Sequence, residues 1–292
     1  MYINDKVKSI NKLKITLFAD DSCLYYSNSN VVDLINMINT ELKQVHSWLI
    51  SNKLTLNVKK SHYIIVNRRL PTSQNIQPIH INDTIIKRED KTLFLGITIQ
   101  YNMKWDKHIQ LLTNKVNKYS SIIYQIRNNL DRHSLKLIYY SLINSSLTYM
   151  NIIWGKSPHQ HLQPLIVAQK KTIRTIKFRS RYYHTNADFL SLGFLKIKDI
   201  NKYCASIFTF KSLNNLVHPT DYFGHVADIN NYPLRNALNL RPPLVHSAQS
   251  QSSPSYYCCH IWNNLPPYIR SRPSVASFKL AVKKQLLELY QT

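Results

Sequence analysis

Glycine is almost missing, with 4 residues in 292. Folds that cradle phosphates in glycine-rich loops need more, and no GxGxxG or Walker pattern is present. Acids are scarce too: 15 Asp and Glu stand against 38 Lys and Arg, a formal net charge of +23. The four cysteines (Cys23, Cys204, Cys258 and Cys259) form no CxxC pair and no spaced zinc pattern, and Cys258-Cys259-His260 has no second ligand pair to complete it. They are read as reduced thiols of an intracellular, non-secreted protein, nuclear or cytoplasmic. No apolar run approaches the ~20 residues of a membrane span, so no membrane partner is expected. The polar start Met1-Tyr2-Ile3-Asn4-Asp5-Lys6 carries no secretory pattern.

What is present in excess is positive charge and tyrosine, 19 of the latter. A surface this basic attracts polyanions, and phosphate contacts dominate nucleic-acid affinity. Aromatics interleaved with cations can stack on bases. A ribosome-like basic protein or a membrane-surface protein would share the bulk charge.

The periodicity changes along the chain. Lys14–Phe18 and Cys23–Tyr26 read as two short strands with Ala19-Asp20-Asp21 as the turn. Asn30 is a helix N-cap, and Val31, Leu34, Ile35, Ile38, Leu42, Val45 and Leu49 recur at helical spacing. Leu54–Leu56 and Tyr63–Val66 read as strands. Ile79–Ile81 and Thr84–Ile86 form a tight hairpin around Asn82-Asp83, and Leu93–Ile99 is a strand pair or bend broken by Gly96.

After Lys104 the pattern is helical. One face is marked by Ile109, Leu112, Val116, Tyr119, Ile123 and Ile126, and a second helix follows Asp131. Basic and apolar helices are expected over 162–179 and 197–216, and a last one uses Val275, Phe278, Val282, Leu286 and Leu289. Residues 217–256, rich in Pro, Ser, Asn and His, read as an irregular connector. The fold class is α+β: a small mixed part over 1–103, then helices. Trp48, Trp105, Trp154 and Trp262 are expected as core anchors.

Phe18-Ala19-Asp20-Asp21 carries the chemistry. Two adjacent acids at a hairpin tip offer hard oxygen ligands to Mg²⁺ or Mn²⁺. Nucleotidyl transfer uses two such metals about 3.5–4 Å apart, one activating the attacking hydroxyl and one holding the leaving phosphate. An exposed turn, where Asp bonds its own backbone, has the same pair of residues.

The order of short motifs separates these readings. Phe18-Ala19-Asp20-Asp21-Ser22 resembles the Asp-Asp box of reverse transcriptases from non-LTR retrotransposons of the jockey and CR1 kind (LINE elements). Tyr2-Ile3-Asn4-Asp5 is similar to the segment before that box, Trp48-Leu49 to the end of the helix after it, and Leu54 through Ser61 to the family's Leu-x-x-Asn-x-x-Lys-Thr, with Ser for Thr. Phe94-Leu95-Gly96-Ile97 resembles the primer-grip strand and Lys104–Ile109 the start of the thumb. Tyr149–Gly155 resembles the thumb's end. Lys170-Lys171, Ile173-Arg174, Trp262–Pro266, Ile269-Arg270 and Ser277-Phe278-Lys279 resemble the post-thumb region.

The resemblance implies a partial palm over 1–103, an antiparallel sheet with a helix. A helical thumb over 104–160 and a basic helical post-thumb region over 161–292 follow. It implies that Asp20 is a metal ligand with Asp21 as its supporting neighbour, that Ala19 is small so that the primer end can approach, and that Lys60 sits near the incoming dNTP. Gly96 would let backbone lie against the primer; a β-bulge would also use it. Lys170, Lys171, Arg174, Lys177, Arg179 and Arg181, followed by Tyr182-Tyr183, would track phosphates, as a solvated helix face also could. The implied partners are an RNA template, a DNA primer and dNTP. The first catalytic Asp, a Pro-Gln-Gly loop, the fingers and the endonuclease would lie upstream of Tyr2. With one carboxylate strand only, the chain alone is expected not to polymerise, its palm exposing a sheet edge and an apolar face. The alternative is a catalytically dead nucleic-acid-binding module or remnant.

Overall fold

A computed structural model describes residues 10–19, 21–67, 76–82, 84–218, 222–228 and 239–291. Tyr2-Ile3-Asn4-Asp5, Asp20 and Asp83 lie outside these residues. Helices and small sheets mix, as an α+β chain requires. The chain divides into two units, Met1–Lys104 and Trp105–Thr292.

The first unit opens with a β-hairpin, β1 (Lys14–Phe18) and β2 (Asp21–Tyr25), paired from Lys14↔Tyr25 to Phe18↔Asp21. Asp21 is therefore the first residue of the second strand and not part of the turn. A two-residue connection closes the hairpin more tightly than the three-residue turn expected from sequence. Helix α1 (Val31–Ser51) follows, capped by Asn30, whose side chain accepts from the Val32 amide at 2.9 Å. Its buried stripe is Ile35, Leu42, Val45 and Leu49.

Buried among them, the Glu41 carboxylate accepts from the backbone amides of Asn11 (2.7 Å) and Lys12 (3.1 Å). That bond ties the entry of β1 to the helix. It also satisfies a charge that would be costly to bury alone.

Short strands complete this unit: β3 (His62–Tyr63), β4 (His80–Ile81), β5 (Thr84–Ile85), β6 (Lys87–Arg88), β7 (Lys91–Phe94) and β8 (Ile97–Gln100). They pair as separate two-stranded sheets, β1–β2, β3–β6, β4–β5 and β7–β8, of which β3–β6 is parallel. Ile35 and Leu42 pack with Ile79, Ile81 and Ile86, and Leu24, Val58 and Tyr63 close around them.

The hairpin around Asn82 forms as expected, Ile81 pairing with Thr84. Leu54–Leu56 is not strand, and Tyr63–Val66 contributes only its first residue to one. β-branched composition describes a half-buried surface and does not supply the partner strand that pairing requires.

The second unit is helical. α2 (Asp106–Ile126) buries Ile109, Leu112, Val116 and Ile123. α3 (Arg132–Ile138) starts at Asp131, whose side chain accepts from the Ser134 amide at 2.9 Å. It runs through a π-helical turn at Tyr139–Asn144 into α4 (Ser145–Thr148) and, past Met150, α5 (Asn151–Trp154). α6 (His159–Ile176) packs along α2.

After α7 (Asn186–Leu192) comes α8 (Ile197–Leu213), which meets α4, α5, α10 (Pro254–Asn263) and α12 (Val275–Glu288). α8 is buried on several sides because small hydroxyl residues sit among its apolar ones. Ser206 and Thr209 return their hydroxyls to the carbonyls of Lys202 (2.8 Å) and Ala205 (2.9 Å), whereas the buried Ser212 hydroxyl near the end of the helix has no such partner among the described residues.

Within the stretch read as connector, α9 (Ala248–Gln251) and the first turn of α10 are helical. Ser253 at the N-cap and Pro254 at the first helical position start α10. The short α11 (Pro267–Arg270) precedes α12. Trp154 and Trp262 are core anchors, whereas Trp48 and Trp105 are half-buried.

Candidate functional site

The acidic hairpin is built by alternation. Leu24 turns inward to the apolar cluster, so its neighbours in β2 face outward. Asp21, Cys23 and Tyr25 share that outer face with their cross-strand partners Phe18, Thr16 and Lys14. Phe18 is 59% exposed and Tyr25 51%. Asp21 is exposed beside Phe18, at the end of a sheet that has no further strand among the described residues. Ala19 holds left-handed backbone, φ 51°, which costs an alanine roughly 1–2 kcal/mol.

Asp20, next to it, lies outside the described residues. The carboxylate chemistry suits a hard divalent cation. No group of three potential ligands occurs among the described residues, so a complete metal shell is not assembled there.

Lys60 ends a 3₁₀ turn, Val58–Lys60, in which the Asn57 side chain accepts from the Lys60 amide at 3.3 Å. Lys60 is exposed. Its neighbour Val58 packs on the same apolar cluster as Leu24. The turn and the acidic strand thus stand on one small core.

Gly96 stands at the break between the two strands expected over Leu93–Ile99. With φ 76°, following Leu95 at φ 46°, it closes the β7–β8 hairpin, Phe94 pairing with Ile97. Consecutive left-handed residues are the demand of a tight hairpin turn, and glycine meets it without a Cβ penalty.

The six cations belong to the second unit, and they do not behave alike. Lys170, Lys171 and Arg174 lie on the side of α6 opposite its buried stripe of Leu165, Thr172 and Ile176. Lys177 is the C-cap of that helix. Lys171 is exposed and Lys170 half-buried. Burial lowers the pKa of the Lys196 ammonium; Asp199 opposes this, and the nearby Lys170 adds a smaller lowering.

Arg174 donates through Nε to the Tyr183 carbonyl at 2.9 Å, folding the following loop back onto the helix. Arg179 pairs through Nε and Nη2 with the two carboxylate oxygens of Asp188, both at 3.4 Å, and its guanidinium lies 4.3 Å over the Tyr183 ring. Asp188 is buried. Arg181 lies 6.0 Å from the centroid of Tyr182, which is 85% exposed.

Sequence reasoning missed the group beside this loop. Arg127, the C-cap of α2, donates through Nη1 to the Thr175 carbonyl at 3.4 Å, adding to the backbone bond that this carbonyl already accepts from Phe178 in the last turn of α6. Its guanidinium lies 4.3 Å from the Tyr124 centroid and 4.7 Å from that of Phe178. The i, i+3 pair of Tyr124 and Arg127 was readable at a helix end. Phe178 joins them only through the packing of α6 on α2.

The four cysteines are free. Burial raises the thiols of Cys204 and Cys258 to about 12 and that of Cys259 to about 11, which removes them as nucleophiles near neutral pH. No helix among the described residues is long and apolar enough to cross a membrane.

Comparison with known proteins gives distant similarity to one kind of enzyme. The chain is 23% identical over 175 residues to the RNA-directed DNA polymerase from mobile element jockey of Drosophila melanogaster, covering 59% of this chain and 19% of that protein. It is 20% identical over 189 residues to the corresponding polymerase of Drosophila funebris, covering 63% and 20% respectively. The chain spans about a fifth of the length of these curated relatives. No family model matches it, and no solved structure does.

Proposed function

We propose that this chain is the stretch of a non-LTR retrotransposon reverse transcriptase that runs from the Asp-Asp box of the palm through the thumb and the region after it. The observation that carries the reading is the hairpin Lys14–Tyr25. In a chain similar to jockey polymerases, its two-residue connection brings the second acid of Phe18-Ala19-Asp20-Asp21 to the exposed end of a two-stranded sheet.

In this reading Asp20 and Asp21 are the carboxylates of one strand of an RNA-directed DNA polymerase site. They would help hold two Mg²⁺ ions, which supply a lowered pKa for the primer hydroxyl and charge neutralisation for the leaving pyrophosphate. Lys60 would face the triphosphate, where a cation stabilises developing charge. Gly96 would keep the β7–β8 turn narrow enough for the primer strand to pass. The cations of the helical unit would hold template and primer.

A two-metal site needs carboxylates from a second strand, so another palm segment completes it and the 292 residues alone are inactive. Primer extension on a primed RNA template with Mg²⁺ tests this. Activity is expected only when a palm segment carrying the second acidic strand is supplied, and loss is expected on Asp21→Asn. Synthesis by the chain alone would refute the split site.

A second reading, a nucleic-acid-binding module without chemistry, is favoured by the basic and aromatic end of α6. In that case binding survives Asp20→Ala and Asp21→Asn, and supplying the palm segment restores no synthesis.

A further inference from the structure

We infer that the place where the C-terminal ends of α2 and α6 meet is a stacking platform for unpaired nucleic-acid bases, with Tyr124, Phe178 and Tyr182 as its rings. The inference rests on the nucleic-acid reading above and specifies which form of nucleic acid this end of the helical unit takes.

Three observations carry it. First, Arg127 is held between two rings, 4.3 Å from Tyr124 and 4.7 Å from Phe178, and is anchored by its bond to the Thr175 carbonyl. The anchored guanidinium fixes both rings, yet Tyr124 remains 59% exposed and Phe178 52%. A fixed aromatic face open to water is ready to stack without further ordering cost.

Second, Phe178 occupies a backbone position that selects against it. The Arg179 amide bonds the Arg174 carbonyl (2.9 Å) and the Phe178 amide the Thr175 carbonyl (3.4 Å), the two bonds of a Schellman helix end. Phe178 is the left-handed residue of that motif, φ 54°, where glycine is the favoured choice. Non-glycine residues held in left-handed backbone concentrate at functional sites.

Third, the rings are set among cations. Arg181 lies beside Tyr182, which is 85% exposed, and Lys171, Arg174 and Lys177 lie on the adjoining face and end of α6.

The chemistry selects the ligand. Cations alone recognise phosphates of any nucleic acid. Exposed rings add affinity only where a base can present its π-face, which a duplex withholds and a single strand offers, in RNA and DNA alike. The negative ends of two helices meeting here would repel phosphates if bare. Arg127 and Lys177 offset that charge and leave the rings accessible.

The test is fluorescence anisotropy with the full chain on labelled oligo(U), oligo(dT) and a blunt duplex, each of about 20 nucleotides, long enough for several stacked bases. Tyr182→Ala and Phe178→Gly should each weaken single-strand binding by about 5- to 150-fold, the range for loss of one stacked base. Duplex affinity and the salt slope should be unchanged, because no cation is removed. Neither variant should lower the melting temperature: Tyr182 contributes little to packing, and glycine relieves the left-handed backbone at 178.

Equal losses on single strands and duplex, or no loss in the variants, would overturn the platform while leaving nucleic-acid binding intact. Wild-type chain that binds neither form would overturn both. A drop in melting temperature for Phe178→Gly with unchanged affinity would make the ring structural and refute the assignment.

Discussion

Arg179 is the residue on which sequence and structure assign different work, and its removal separates them. As one of six cations in a basic stretch it would contact phosphate. In the fold it pairs with both oxygens of Asp188, whose side chain is 3% exposed, while its own is 41% exposed. Breaking a fully buried ion pair by removing one partner costs about 3–5 kcal/mol, because a charge is left without compensation. Here the guanidinium is partly solvated and the bonds are long at 3.4 Å, so about 1–3 kcal/mol is expected for Arg179→Ala. For a unit of this size that lowers the melting temperature by roughly 2–12 °C.

Thermal unfolding of Arg179→Ala, Asp188→Asn and the double variant measures it. The double variant should recover part of the loss, since it no longer buries an unpaired carboxylate. Lys171→Ala is the contrast: an exposed cation whose removal should leave the melting temperature alone and reduce the slope of log affinity against log salt by about 0.7 for single strands. An Arg179→Ala chain as stable as wild type, with the salt slope reduced as for Lys171→Ala, would refute the reasoning and return Arg179 to the phosphate surface.

Further outcomes follow from the fold. At Gly155 an added Cβ would stand 2.2 Å from Asn151 Oδ1, 2.6 Å from the Asn151 carbonyl and 2.6 Å from Asn201 Nδ2. Gly155→Ala should therefore cost about 1–3 kcal/mol or more by overpacking, read in a urea titration. Tyr290 accepts from the Lys196 amide (2.9 Å) and donates to Asp199 Oδ2 (2.6 Å), so Tyr290→Phe should cost about 1.5–3 kcal/mol, the range for a hydrogen bond to a charged group; an unshifted melting temperature would show that the bond to Asp199 adds nothing.

The buried thiols also set a pH limit. Cys258 is held protonated up to about 12 against an ordinary value of 9.0. Its contribution to stability is complete below about pH 9 and declines as pH rises toward 12. Melting temperatures from pH 8 to 11 should fall accordingly, and a thiol reagent at pH 8 should label half-buried Cys23 first, half-buried Cys204 more slowly because its thiol is held protonated, and buried Cys258 and Cys259 only on denaturation.

How much was legible can be seen residue by residue. The α1 stripe of Ile35, Leu42, Val45 and Leu49 and the Asn30 cap were readable, because helical spacing and capping are local and repeat within one element. The hairpin at Asn82 was readable for the same reason. Asp21 was misread as turn, since one residue decides between a two- and a three-residue connection and the composition of the segment fits both. Within the connector expected over 217–256, residues 248–256 read as irregular because their Ser and Tyr blur the apolar period, yet they supply α9 and the start of α10. The break at Gly96 was readable as well, because a glycine between two apolar runs marks a turn that needs left-handed backbone.

Sequence alone determined the charge, the α1 stripe and the turn at Asn82, and the order of motifs on which the proposed reverse-transcriptase reading rests, all properties of neighbouring residues. The tertiary structure decided which cations are committed inside the fold and which surround an open surface. Arg179 is matched to Asp188 by a loop that folds back, and Phe178 meets Arg127 and Tyr124 only because α6 packs on α2. The first pairing closes a loop of nine residues and the second joins segments far apart in the chain, and nothing in the local sequence of either partner specifies the other.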